Sequence, residues 1–266
     1  MNRASKILLI VLSAIAVVGL VVFFNIRRGN TVLRDIDVSI VSPDGMQLLK
    51  SSTLKQELLL GIPTLTGQTV RQTDKRLVRQ IVEGNPYIDK ASVSISIGCH
   101  LVVKATQRQT MARVFCGDKQ FYIDTKGKPM PISTEGDASV TVCSGTFKQR
   151  LTDKYLTADF AAMATDSLQQ HYDICQLYIL LDFLHCNPTY EALFDQIYLQ
   201  EDGDFALVPK IGNHRVVIGN TENLDDKFSR LLTFYQRALP ETGWNAYSKV
   251  SVKYDGQIVC TRKNQI

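Results

Sequence analysis

The chain has 266 residues, 45% of them hydrophobic and 21% charged, with a formal net charge of +4. That hydrophobic share supports real cores and excludes a disordered tail. The mild positive balance, with no basic cluster interleaved with aromatics, argues against nucleic acid as a partner.

The first element is an apolar run that begins at Ile7 and ends at Phe24, ILLIVLSAIAVVGLVVFF. In a helix its eighteen residues reach roughly 27 Å, close to the hydrocarbon thickness of a bilayer. Its Leu, Ile, Val and Phe side chains favour insertion by about 4–8 kcal/mol as an upper bound, with no charge opposing them. A cleaved secretory signal has a shorter apolar region ending at a small-x-small site. Cutting after Ala14-Ile15-Ala16 would leave a mostly apolar stub, so the run reads as an uncleaved anchor. Arg3 and Lys6 before it nearly balance Arg27 and Arg28 after it. A cytoplasmic tail (1–6), a transmembrane helix (7–26) and an extracytoplasmic body are expected on the ground that only a short tail then stays inside.

Residues 32–41 alternate as a strand. Ser51-Ser52-Thr53 caps a helix ending near Gly61, and Thr69 caps a second helix with Val70, Leu77, Val78, Ile81 and Val82 on its apolar face. Asn85-Pro86-Tyr87 ends that helix. Val93, Ile95 and Ile97 alternate with serines, Gly98 turns the chain, and Leu101, Val103 and Ala105 alternate again. Strand, helix, helix, strand, strand makes a sheet with one face covered.

A second region starts near Arg108. Short strands are expected at 114–116, 120–123 and 139–143, with a turn at Asp124-Thr125-Lys126-Gly127. Residues 156–172 read as a helix, and 177–184 with 188–194 as a helical pair broken at Asn187-Pro188. Strands follow at 196–200, 205–209 and 215–219. Leu224, Phe228, Leu231, Leu232, Tyr235 and Leu239 define an amphipathic helix, and a hairpin turning at Asp255-Gly256 closes the chain. The fold class is α+β: an anchor helix, a β-α-α-β-β module and a mixed domain built on an extended antiparallel sheet.

Chemistry is sparse. The six cysteines form no CxxC and no zinc-finger spacing. Buried thiols and disulfides both remain open for them. The four histidines are scattered, and Asp182, His185 and Cys186 are crowded onto about one helical turn, unlike a catalytic triad drawn from separate elements. No P-loop, dinucleotide fingerprint or G-x-S-x-G occurs. Asp124 and Asp202 precede turn glycines, where carboxylates bind backbone amides. No catalytic residue, metal, cofactor or small-molecule substrate is expected. An anchored extracytoplasmic enzyme with its site in the second domain stays as the alternative, and a barrel-assembly factor is disfavoured because no run of barrel strands follows.

Three motifs then carry a resemblance. Asn85-Pro86-Tyr87-Ile88 leads into the second strand, and FYIDTKGKPMP runs from Phe121 to Pro131. Asp226-Lys227-Phe228 on the last helix precedes VSVKYDGQIVC, from Val250 to Cys260. In order and spacing the chain resembles the bacterial cell-division family FtsQ/DivIB. The resemblance implies a POTRA-like domain at 32–107, an FtsQ/DivIB-like β domain at 108–262, and a non-enzymatic scaffold of the inner membrane at the septum. The implied partners are FtsB/DivIC-like and FtsL-like proteins and, through them, the septal peptidoglycan synthase. Family members bind the FtsB-type partner largely at their last strands.

The residues themselves suggest the same place, because a strand near 257–261 forms a sheet edge open to strand addition. Tyr254, Ile258, Val259, Cys260, Thr261 and Arg262 are the expected contacts, although Ile258 and Cys260 can equally face the core. Lys227 and Arg230, with Arg237, lie on the polar side of the last helix as electrostatic contacts or merely a solvated face. Proline at Val259 is expected to remove a donor that a partner strand uses while sparing the fold.

Overall fold

The computed structural model describes residues 3–152 and 155–263; of the expected cytoplasmic tail, residues 1 and 2 lie outside it. Helix α1 spans Arg3–Gly29. Among the described residues it is the one helix long and apolar enough to cross a membrane, with a mean hydropathy of 1.6 over Leu12–Gly29 and none of that window buried against protein. A core helix would hide those side chains, so α1 is built for an apolar solvent.

The chain divides into two units, one of residues 1–43 and 49–107 and the other of 44–48 and 108–266. A boundary drawn between 107 and 108 does not take in residues 44–48. In the second unit Asp44 Oδ2 accepts from the Thr110 amide at 3.2 Å, and the Leu48 side chain is fully buried.

The first unit contains β1 (Ile36–Val41), α2 (Ser51–Gly61), α3 (Lys75–Glu83), β2 (Ile88–Ile95) and β3 (Leu101–Gln107). The sheet order is β1-β3-β2, with β1 parallel to β3 and β2 antiparallel to it. Leu101, Val103 and Ala105 on β3 pack against Leu54 and Leu58 of α2 and Val78 and Val82 of α3. The expected cap of α3 is displaced. Asp74, not Thr69, accepts from the amides of Arg76 and Leu77, while Thr69 bridges to Val32. Asp74 sits at the residue where helical dihedrals begin, so its carboxylate takes the orphan amides.

The second unit is a nine-stranded sheet with β4 (Thr110–Cys116), β5 (Lys119–Asp124), β6 (Pro129–Pro131), β7 (Thr141–Gly145), β8 (Phe194–Leu199), β9 (Phe205–Pro209), β10 (Arg215–Gly219), β11 (Tyr247–Ser251) and β12 (Val259–Arg262). Its order is β12-β11-β10-β9-β8-β7-β4-β5-β6. It is mixed rather than purely antiparallel: β4–β7, β7–β8 and β10–β11 are parallel pairs. Helices α4 (Phe160–Thr165), α5 (Asp173–His185), α6 (Pro188–Leu193), α7 (Leu224–Arg237) and α8 (Leu239–Thr242) complete it.

The helix expected over 156–172 shrinks to α4. Asp166 ends it by accepting from the Leu168 amide at 2.8 Å, and Leu168 is exposed. Phe228 of α7 is fully buried, with its ring centroid 4.9 Å from Tyr190, 5.1 Å from Phe183 and 6.0 Å from Phe194. That aromatic cluster joins α5, α6 and α7 to β8. The motif at Phe121–Pro131 gains a structural reason. Asp124 is buried, pairs with Arg108 Nε at 2.8 Å, and accepts from the amides of Lys126 and Lys128. Gly127 completes that turn with φ +75, and a Cβ there would collide with Ala161.

Candidate partner-binding edge

β11 and β12 are antiparallel, with Ser251 opposite Val259, Val250 opposite Cys260 and Lys249 opposite Thr261. Val250 is fully buried in the helix-covered core, so Cys260 leans to that side, and Ile258 and Cys260 pack partly against the core. Val259, 45% exposed, and Thr261 stand on the other face, and Arg262 is exposed. Tyr254, 50% exposed, lies in the turn.

The backbone has its own parity. Val252 N donates to the Val217 carbonyl at 2.9 Å, so residue 252 aims its polar groups at β10. By alternation Ser251 aims at β12 and exchanges bonds with Val259. Val259 is therefore turned inward, while Ile258, Cys260 and Arg262 carry the outward N–H and C=O groups. Proline at Val259 would break the β11–β12 ladder, and the expectation attached to it is corrected: the outward donor is one residue further on, at Cys260.

The opposite edge of the sheet is closed. Asp124 N donates to Lys128 O at 3.0 Å, and Ile123 and Phe121 face Pro129 and Pro131. The same alternation turns Met130 toward β5 and both prolines outward, so β6 offers no outward donor. Among the described residues, the sheet thus has one blunted edge and one with donors and acceptors.

Two expected contacts on α7 are corrected. Lys227 is only 3% exposed, and its Nζ donates to the backbone and side-chain oxygens of Asn220 at 2.9 and 2.8 Å. Burial pushes its pKa down from the usual lysine range. It sits one residue before Phe228, on a flank that the helical spacing of large apolar residues hides. Arg230 pairs with Asp226 at 2.9 Å and donates to the carbonyls of Tyr254 at 2.8 Å and Gln257 at 2.7 Å. It braces the turn that delivers β12 instead of offering a free charge. The two carbonyls it holds carry no sequence signal that would have identified this role.

Beside that turn is a polar cleft of about 360 Å³ lined by Asp204, Asn220, Glu222, Asn223, Lys227, Lys253 and Asp255. Its lysines are engaged, Lys253 with Asp204 at 2.6 Å. The crowded trio on α5 is not assembled as a triad, because His185 Nδ1 lies 2.6 Å from Glu191 Oε1 and Cys186 is exposed. Burial pushes the thiols of Cys116 and Cys175 up to about 11, and that of Cys260 upward, away from thiolate chemistry. All six cysteines are free. Among the described residues no group of side chains is arranged to hold a metal ion.

An apolar helix long enough to span a bilayer and two α+β units, the second with an open strand edge, define the class of chain. The family model described as FtsQ/DivIB, C-terminal related, matches residues 109–261, more than half of the chain. The chain belongs to that family, which ties it to cell division and to a non-enzymatic group of division proteins. No curated protein matches it.

Proposed function

We propose that the protein is a single-span scaffold of the bacterial division complex, and that β12 takes up a strand from an FtsB/DivIC-like partner. The observation that carries this reading is the asymmetry of the nine-stranded sheet: β12 presents outward donors and acceptors, whereas β6 presents prolines. β6 lies within the residues matched by the family, as does β12 up to Thr261. Strand addition draws affinity from main-chain bonds and specificity from alternate side chains. Ile258, Cys260 and Arg262 supply the bonds, and Val259 and Thr261, with Tyr254, supply the recognised face.

In this reading the β-α-α-β-β module (32–107) is POTRA-like and docks other proteins near the membrane, and 108–262 forms the β domain. The amino terminus is cytoplasmic and the body periplasmic, concentrated at the septum. FtsL-like proteins join through the FtsB-type partner and so reach the septal synthase. Anchoring raises the effective concentration of each partner, so modest strand contacts suffice. Site-directed crosslinking along 247–262 in dividing cells tests the edge: adducts to one small single-span protein, with outward positions strongest, are expected. Depletion giving filaments without septa is the cellular counterpart, and normal division on depletion overturns the scaffold reading. An alkaline phosphatase fusion after Ile266 is expected to be active, and an inactive one reverses the topology.

A further inference from the structure

Strand polarity decides which end of the first unit faces the end of α1. β1 follows α1 within a few residues, and β3 runs parallel to it from Leu101 opposite Ile36. β2 returns antiparallel, so the β2–β3 turn lies at the end of the sheet where α1 arrives. The bonds from Arg34 N to Cys99 O at 3.0 Å and from Leu101 N to Asp35 O at 2.9 Å fix this level. Ser96 N donates to His100 O at 2.9 Å as the turn closes, which puts Ile97 opposite Cys99, near the height of Arg34.

The junction is also braced. Arg28 Nη2 donates to the carbonyls of Ile95 at 3.1 Å and Ser96 at 2.9 Å. Arg71 N donates to Gly29 O at 3.0 Å, and Val32 bridges Thr69. Arg28 lies about 6 Å along the helix from Phe24, within the headgroup zone if the apolar run fills the hydrocarbon. Its guanidinium therefore holds the β2–β3 turn at that depth.

At the tip of this turn Ile97 is 91% exposed, the most exposed large apolar side chain in the first unit outside α1. Exposed Arg27, Arg34 and Arg71 surround the same end. The nearby carboxylates are engaged: Asp35 with Lys55 at 3.1 Å, Asp37 with His100 at 3.9 Å, and Asp74 in capping α3. An apolar tip ringed by free arginines is complementary to an anionic lipid surface. The geometry points to a second membrane contact: the β2–β3 turn seats Ile97 in the lipid interface, with Arg34 and Arg71 on headgroup phosphates. This rests on reading α1 as a membrane span. The first unit then stands on the bilayer at a fixed tilt instead of swinging from a tether.

The test uses the full chain in nanodiscs of phosphatidylethanolamine and phosphatidylglycerol, with plain or acyl-brominated lipid. Single substitutions Ile97→Trp, Val41→Trp and Leu20→Trp are compared after subtracting the wild-type signal of Trp244. Ile97→Trp is expected to be blue-shifted and to lose roughly half its intensity to bromine, as for a side chain sunk about 5–10 Å. Val41→Trp, about 22–24 Å further along the chain that leads into and forms β1, should be unaffected. Leu20→Trp reports the anchor. If Leu20→Trp is quenched and Ile97→Trp matches Val41→Trp, the lipid contact is wrong and the span stands. If Leu20→Trp is not quenched, the span fails and the contact falls with it. All three sites are exposed, so none of the substitutions disturbs a core.

Discussion

A pair of prolines one residue apart distinguishes an open strand edge from an ordinary hairpin. Cys260→Pro deletes an outward N–H and leaves the Ser251–Val259 exchange untouched. The lost bond and the partner carbonyl left unsatisfied together cost about 1.5–4.5 kcal/mol, at least tenfold in Kd. Val259→Pro instead removes an inward bond of the β11–β12 ladder. Counting that bond and the stranded Ser251 carbonyl in the same way, it costs about 1.5–4.5 kcal/mol of stability, roughly 3–18 °C in Tm for a unit of this size. Cys260→Ala, which keeps the amide, controls for the partly buried thiol.

Thermal unfolding and biolayer interferometry against the extracytoplasmic segment of an FtsB-like partner measure both quantities on the same preparations. The expected pattern is crossed: Cys260→Pro folds normally and binds poorly, Val259→Pro unfolds early, and Cys260→Ala resembles the parent. Undiminished binding by Cys260→Pro would refute strand addition at β12. Loss of stability in Cys260→Pro with none in Val259→Pro would refute the assigned parity.

Other substitutions probe what holds the edge in place. Phe228→Ala empties the centre of the aromatic cluster and should cost about 3–5 kcal/mol in denaturant unfolding. Asp124→Ala removes the buried carboxylate paired with the half-buried Arg108 and frees two turn amides, an expected loss of about 3 kcal/mol by the same measurement. His214 is buried with Nε2 2.8 Å from Tyr235 Oη, and desolvation lowers its pKa below 6.5. Below that pH the unfolded chain binds the proton more readily, so stability should fall on acidification, and His214→Gln should flatten that slope in a pH series of unfolding curves. Gly145→Ala should abolish folding of the second unit by circular dichroism, because φ is +133 and a Cβ would run into the backbone of Leu199.

Much of this architecture was legible where one physical signal dominated. The anchor run needs only length and hydropathy. β9 and β10 emerge with the expected bounds because turn glycines bracket β-branched and aromatic residues. The break between α5 and α6 follows from Asn187, whose side chain accepts from the amides of Thr189 and Tyr190 ahead of Pro188. Legibility failed where tertiary context chose between equal local options. Asp166 converts a weak helical pattern into turns, Asp74 outcompetes Thr69, and the three residues of β6 contain two prolines that no strand preference would select. The edge itself was readable as a place, since the hairpin dipeptide and its alternation lie near 250–261. Its parity was not, because that depends on which neighbour Val252 bonds across the sheet. Nor was the engagement of Lys227 and Arg230, which use their charges on carbonyls distant in sequence.

The prolines of β6 bear on stoichiometry as much as on protection. A sheet that can lengthen at both ends can propagate, molecule upon molecule, into a filament. This one has a terminator at one end, so any growth stops after a single event at β12. Either a foreign strand or the β12 of a second copy can occupy that position, never both. A homodimer joined there would be a closed, partner-excluding reservoir, and the ratio of scaffold to partner would set how many molecules remain available.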